Sequence, residues 1–129
     1  MTNALLSFLF LGHCSHTDLF RDFLTRTGEG VVTDDPELAD AVCVFERDAS
    51  RHAALALPHL QAGRPVFVEK PMALDVASAR RLTEAGRVTS FSTLRWAPEV
   101  DLVRNVQALR IEGPARETDP SGWGFYAVQ

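Results

Sequence analysis

Three short stretches of the chain gather side chains able to do chemistry. Gly12-His13-Cys14-Ser15-His16 places two imidazoles around a thiol, Glu46-Arg47 sets a carboxylate beside a guanidinium, and Glu69-Lys70-Pro71 sets a carboxylate beside an amine. A lysine at the end of a strand, partly desolvated, can exchange protons with a hydroxyl or polarise it. Glu69 stands where it can orient Lys70 or hold it charged; the alternative is a solvated surface pair. His13 and His16 are spaced i, i+3, but no nearby carboxylate completes a convincing ligand set, so no metal site is assigned. Cys14 falls near a helix start, where a thiolate is favoured. Even so, Cys14 and Cys43 read as small buried hydrophobes beside strands, not as a disulfide framework or a zinc site.

The elements that must position these residues follow from hydrophobic periodicity. Leu5–Leu11 is almost continuously apolar, the pattern of a strand covered on both faces. Gly12 ends it. Ser15 or Thr17 caps the next helix, Asp18 lies in its first turn, and Leu19, Phe20, Phe23 and Leu24 form one stripe closed by Gly28 and Gly30. Val31–Thr33 is a short strand, and Pro36 opens a brief helix. Ala41–Phe45 is a buried strand. Asp48 or Ser50 caps a helix over Arg51–Ala62 that Pro58 should kink and Gly63 ends. Pro65–Val68 is a strand running into Glu69-Lys70-Pro71. Asp75 caps a helix with Val76, Ala79 and Leu82 inward, Val88–Leu94 is strand-like, Pro98 starts a helix, and Ala108–Glu112 is a candidate last strand. Strands alternating with helices predict an α/β fold in three layers around a mostly parallel sheet with right-handed crossovers. Ligands bind such sheets at the carboxyl ends of the strands. Gly12-His13, Glu46-Arg47 and Glu69-Lys70-Pro71 each follow a strand, so the three converge on one rim.

Composition narrows the function classes. With 129 residues, 46% hydrophobic and 23% charged, the chain fits one globular domain, 1–129, with a core over 1–98 and a C-terminal extension over 99–129. A net charge of -4 and scattered arginines argue against nucleic acid as a partner. Ala4–Leu11 is too short to span a bilayer and lacks a basic flank, so no membrane partner and a cytoplasmic location are expected.

The stretch Ala62-Gly63-Arg64-Pro65-Val66-Phe67-Val68-Glu69-Lys70-Pro71 resembles the glucose–fructose oxidoreductase / inositol dehydrogenase (Gfo/Idh/MocA) family, whose signature is a helix ending in Ala-Gly, a strand and Glu-Lys-Pro. Ala39-Asp40-Ala41-Val42 with His52, then Met72-Ala73-Leu74, then Leu94-Arg95-Trp96-Ala97-Pro98 extend the likeness over 5–129, strongest at 39–98. The resemblance implies a Rossmann-like domain binding NAD or NADP, normally followed by a substrate domain that this shortened chain is expected to lack. It implies that Lys70 lies near nicotinamide and substrate, and that the Lys70–Pro71 bond is cis.

Against that pattern, only Gly12 remains of the glycines that let amides approach a pyrophosphate at a helix N-terminus. Phe10 stands where the first glycine belongs, and its bulk should disfavour the tight turn and crowd the phosphates. His13 and His16 can partly replace the donors, or cap and pack the helix. Asp34 has the spacing of a ribose-binding acid; the other reading is a turn acid before Pro36. The stretch from Asp34 to Ala41 is too short for the usual helix and strand, so either an element is lost or Val31–Thr33 is not the ribose strand. Gln129 falls in register with the family's catalytic-type histidine, and glutamine cannot act as a base. A register slip would place Tyr126 there instead. Trp123, Phe125 and Tyr126 would expose apolar area and favour an oligomer interface, or bury against the chain's own sheet. Three readings follow: an oxidoreductase complete only as a homodimer or with a protein partner; a non-catalytic binding or regulatory relative; and a fragment of a longer dehydrogenase.

Overall fold

In the computed structural model the described residues are 5–92 and Pro98. All but the last few belong to the first of two compact units, Met1–Ser90; the second is Phe91–Gln129. The expectations for Ala108–Glu112, for the aromatic segment and for Gln129 lie outside the described residues.

Five parallel strands form one sheet: β1 (Leu6–Leu11), β2 (Gly30–Thr33), β3 (Ala41–Val44), β4 (Val66–Val68) and β5 (Val88–Thr89). Their spatial order is β2-β1-β3-β4-β5. Helices α1 (Thr17–Thr27), α2 (His52–Gln61) and α3 (Val76–Ala85) connect them. The expected α/β architecture is therefore present, with every pairing parallel.

Strand alternation splits the side chains into two sets. Leu9, Val42, Val44, Val66 and Val68 pack with Ala56 and Leu60 of α2 and Leu82 of α3 into the main core. The opposite face carries Phe8, Phe10, Cys43, Phe45 and Phe67, joined by Cys14. Phe20 of α1 lies on this second face, its ring centroid 5.2 Å from that of Phe45 and 6.1 Å from that of Phe67. Helices thus stand on both sides of the sheet. Below α1, toward the amino ends of β3 and β4, the second face keeps an apolar groove of about 470 Å³.

Several sequence expectations are corrected here. β1 is not covered on both faces throughout: Leu5 and Leu6 are more than half exposed, because β2 is the sheet's edge beside them. The α1 stripe is only partly used. Leu24 is buried, whereas Leu19 and Phe23 face outward; among the described residues α1 packs against β2 and against no helix to a comparable extent. Gly28 alone caps α1, in the left-handed region at φ 64°, and Gly30 begins β2. Pro36 opens a 3₁₀ turn (Pro36–Leu38) capped by Asp35, not an α-helix. Asp48 caps a 3₁₀ turn at Ala49–Arg51 that leads into α2, whose span continues past Pro58 to Gln61. Val76 is 69% exposed, so α3 turns Leu82 inward without it. β5 ends at Thr89, well short of Leu94.

Candidate functional site at the carboxyl ends of the strands

Parallel register brings the three chemistry-bearing stretches together. Phe10 and Leu11 of β1 lie beside Cys43 and Val44, which lie beside Phe67 and Val68 of β4. Gly12-His13-Cys14, Glu46 and Glu69-Lys70-Pro71 therefore emerge side by side. Two backbone bonds extend the sheet into this rim: the Phe45 amide donates to the Leu11 carbonyl at 2.7 Å, and the Glu69 amide to the Val44 carbonyl at 2.9 Å.

Gly12 makes the tight turn that Phe10 was expected to disfavour. Its φ is 75°, and a Cβ there would sit 2.7 Å from Glu46 Cα, so the loop can run against Glu46 only if this residue is glycine. Phe10 does not obstruct the turn. Its ring meets Phe45 edge-to-face at 5.0 Å and lies under the Arg21 guanidinium of α1 at 5.4 Å, on the second face of the sheet.

Past the turn the chain takes up part of its own donor capacity. The Cys14 amide donates to Thr17 Oγ1 at 2.9 Å, the His16 amide to Cys14 Sγ at 3.4 Å, and the Thr17 amide to the Cys14 carbonyl at 3.2 Å. Among the described residues the His13 and Ser15 amides have no acceptor. The His13 ring is exposed, 3.5 Å from the Asp18 carboxylate.

Glu69 is 8% exposed. Its Oε2 lies 2.7 Å from His16 Nδ1 and 3.8 Å from Cys14 Sγ, while Oε1 accepts from the Lys70 amide at 3.1 Å. This is the carboxylate that the local sequence around His16 could not supply. It arrives from the end of β4, across β3, and only the strand order reveals it. Lys70 is half-buried, and the Lys70–Pro71 bond is cis, as the resemblance implied.

A second connection ties the rim together. His52, 1% exposed, places Nδ1 2.9 Å from the Pro71 carbonyl and Nε2 2.7 Å from the Glu46 carbonyl. The Glu46 carboxylate pairs with Arg51 at 2.7 Å. Asp34 follows β2 directly and is exposed. Since β2 pairs with β1, Val31–Thr33 does occupy the place next to the Gly12 strand, and a 3₁₀ turn is the one helical element between β2 and β3. Asp34 lies on the same rim, but three strand spacings, roughly 14 Å, separate the line of β2 from that of β4, so it does not join Glu69 and Lys70. Cys43 is buried beneath the rim, and burial pushes its thiol up to about 12.

A parallel sheet with helices on both faces, a glycine turn leading into the first helix and an acid after the neighbouring strand define a Rossmann-like ligand-binding domain. The family model for the Gfo/Idh/MocA oxidoreductases, described as the NAD-binding Rossmann fold, matches residues 15–90. The match covers more than half of the chain, which therefore belongs to this family. β1 and Gly12 precede the matched residues. No curated protein matches significantly.

Among solved structures, the chain is similar to the WlbA dehydrogenase of Chromobacterium violaceum, determined with NADH and UDP-GlcNAcA, at 14% identity and a TM-score of 0.65, over 79% of this chain and 39% of that one. A Gfo/Idh/MocA family oxidoreductase of Vibrio cholerae gives 18% and 0.54, over 75% and 42%. An NAD-binding protein of Listeria innocua gives 15% and 0.52, over 72% and 37%. At these identities the likeness is one of fold, and the chain spans about two fifths of each protein's length.

Proposed function

We propose that the chain binds a nicotinamide dinucleotide, NAD or NADP, along the carboxyl rim, as the cofactor domain of an oxidoreductase that an oligomer or a protein partner completes. The observation that carries this reading is the convergence on one rim of the Gly12 turn, the α1 N-terminus and Glu69-Lys70-Pro71, with Asp34 at the end of the adjoining β2.

The residues present fit such a group. Asp34 can accept from ribose hydroxyls. The Gly12 turn has no side chain to obstruct phosphate, and the His13 and Ser15 amides are donors for it. When bound, the nicotinamide supplies hydride chemistry. Lys70, at the far end of the same rim, holds or moves the proton of a substrate hydroxyl, and His52 fixes the backbone after it by bridging Pro71 to Glu46. The internal use of the Cys14 and His16 amides favours a second reading, a non-catalytic relative that keeps the fold with a weakened phosphate grip.

Fluorescence titration with NADH and with NADPH tests the proposal. Submillimolar binding is expected, and Asp34→Ala should weaken it about tenfold, the scale of a lost hydrogen bond to a charged group. No binding at millimolar cofactor rejects the dinucleotide reading. Given binding, turnover on a panel of sugar and polyol substrates should disappear in Lys70→Ala with affinity nearly unchanged, whereas binding without turnover in the parent chain selects the non-catalytic relative. Light scattering checks association through the segment carrying Trp123, Phe125 and Tyr126; a strict monomer at high concentration counts against it.

A further inference from the structure

We propose that Cys14, His16 and Glu69 form a site for one divalent cation of borderline softness, zinc above all. This goes beyond the dinucleotide reading and does not rest on it.

Three side chains of different chemistry, from the loop after β1 and the end of β4, present their ligating atoms within 4.8 Å of one another. Thiolate, imidazole nitrogen and carboxylate oxygen are the three donor types that zinc takes from proteins, and a set of three leaves one position of a tetrahedron for water or a ligand. Two of the three separations come close to those of a shared ion, and the third, Cys14 to His16, lies within 4.8 Å. Two ligands on one tetrahedral zinc stand roughly 3.3–3.6 Å apart, given bonds of about 2.0–2.3 Å. Cys14 Sγ and Glu69 Oε2 are 3.8 Å apart, and His16 Nδ1 and Glu69 Oε2, now hydrogen-bonded at 2.7 Å, need to part by only about half an ångström.

Surrounding bonds hold the ligands in place. The Lys70 amide occupies Glu69 Oε1, which leaves Oε2 turned to the cluster. The His16 amide at 3.4 Å and the Thr17 hydroxyl at 3.9 Å both point donors at Cys14 Sγ, as the outer partners of metal-bound thiolates do. Cys14 and Glu69 are buried and His16 is partly open to solvent, so the cluster has an entry side. Binding would displace the Cys14 thiol proton to solvent, and the His16 ring would present Nδ1 to the ion by carrying its single proton on Nε2.

The test uses the full chain, with zinc and cobalt(II) as probes. After equilibration with zinc and removal of the excess, elemental analysis should find one equivalent per chain, and cobalt(II) should give a thiolate-to-metal charge-transfer band. Cys14→Ser should abolish the band. Cys14→Ser, His16→Ala and Glu69→Gln should each weaken zinc binding by at least about tenfold, while Cys43→Ser changes neither. Circular dichroism of the metal-free variants checks folding; His16→Ala, at a partly exposed position, is the variant that least disturbs packing. Substoichiometric zinc in the parent, a cobalt spectrum without the thiolate band, or parent-like affinity in His16→Ala overturns the proposal. NADH titration of the same preparation keeps the two readings apart: dinucleotide binding without zinc binding sinks only this one, and the reverse leaves this one standing.

Discussion

His52 shows how one side chain can hold a rim together. Its two ring nitrogens join the carbonyl after β3 to the carbonyl of Pro71, so the loops bearing Glu46 and Lys70 share one buried anchor. His52→Ala should remove the ring's contacts to both carbonyls, including its N–H donor, and leave a cavity, a loss of about 2–4 kcal/mol measurable by urea unfolding. An unchanged midpoint would show that water replaces the ring at no cost. At this scale the sequence was informative where a residue acts with its chain neighbours. Gly12, Lys70 and Pro71 stand where their strands end, and Asp34 follows the strand expected of it. The Cys14–His16–Glu69 cluster was illegible because its members come from β1 and β4, which are not paired. Their approach depends on β3 lying between them in register, and no local pattern encodes that.

The aspartates that start the helical segments belong to the scale of elements. Asp75 accepts from the Ser78 amide at 2.7 Å and its hydroxyl at 2.8 Å, and Asp48 does the same for Ser50 at 3.0 and 2.6 Å. In both, these hydrogen bonds hold the carboxyl below the ordinary value of 3.8. A carboxylate whose pKa is lower folded than unfolded stabilises the fold fully above the unfolded value, and the contribution is lost as pH falls through the folded one. Stability should therefore decline below about pH 4, and the double variant Asp48→Asn, Asp75→Asn, which keeps cap acceptors without the charge, should flatten that decline in unfolding midpoints measured from pH 5 to pH 2.5. A slope equal to that of the parent would place the acid sensitivity elsewhere. Caps were readable because the bond runs to an amide two or three residues away. Which apolar side chains of α1 and α3 end up inside was not, because that depends on whether another helix lies alongside: α2 and α3 cover each other, and among the described residues α1 has no such neighbour.

Across the molecule, the two faces of the sheet are finished differently. One is an aliphatic core closed by two helices. The other rests on aromatic rings, with Phe45, fully buried, touching Phe10, Phe20 and Phe67 at centroid distances of 5.0–6.0 Å. Phe45→Ala should cost about 3–5 kcal/mol in calorimetric or urea unfolding, because no single neighbour can fill the space between sheet and α1. A loss below 1 kcal/mol would mean that the rings collapse onto one another. Alternating apolar runs and helical patterns made this layered plan legible, since each run is too short to be anything but a strand between crossovers. The shortened passage between β2 and β3 was visible as a missing length, but not its outcome.

That passage has a consequence for the border of the sheet. With only a 3₁₀ turn between β2 and β3, the sheet stops at β2 among the described residues, and its outer backbone groups have no further described strand to bond. The border is kept brief. It runs for four residues, and the doubled negative charge of Asp34 and Asp35 followed by the ring of Pro36 halts it before a stranger's backbone could zip along its length.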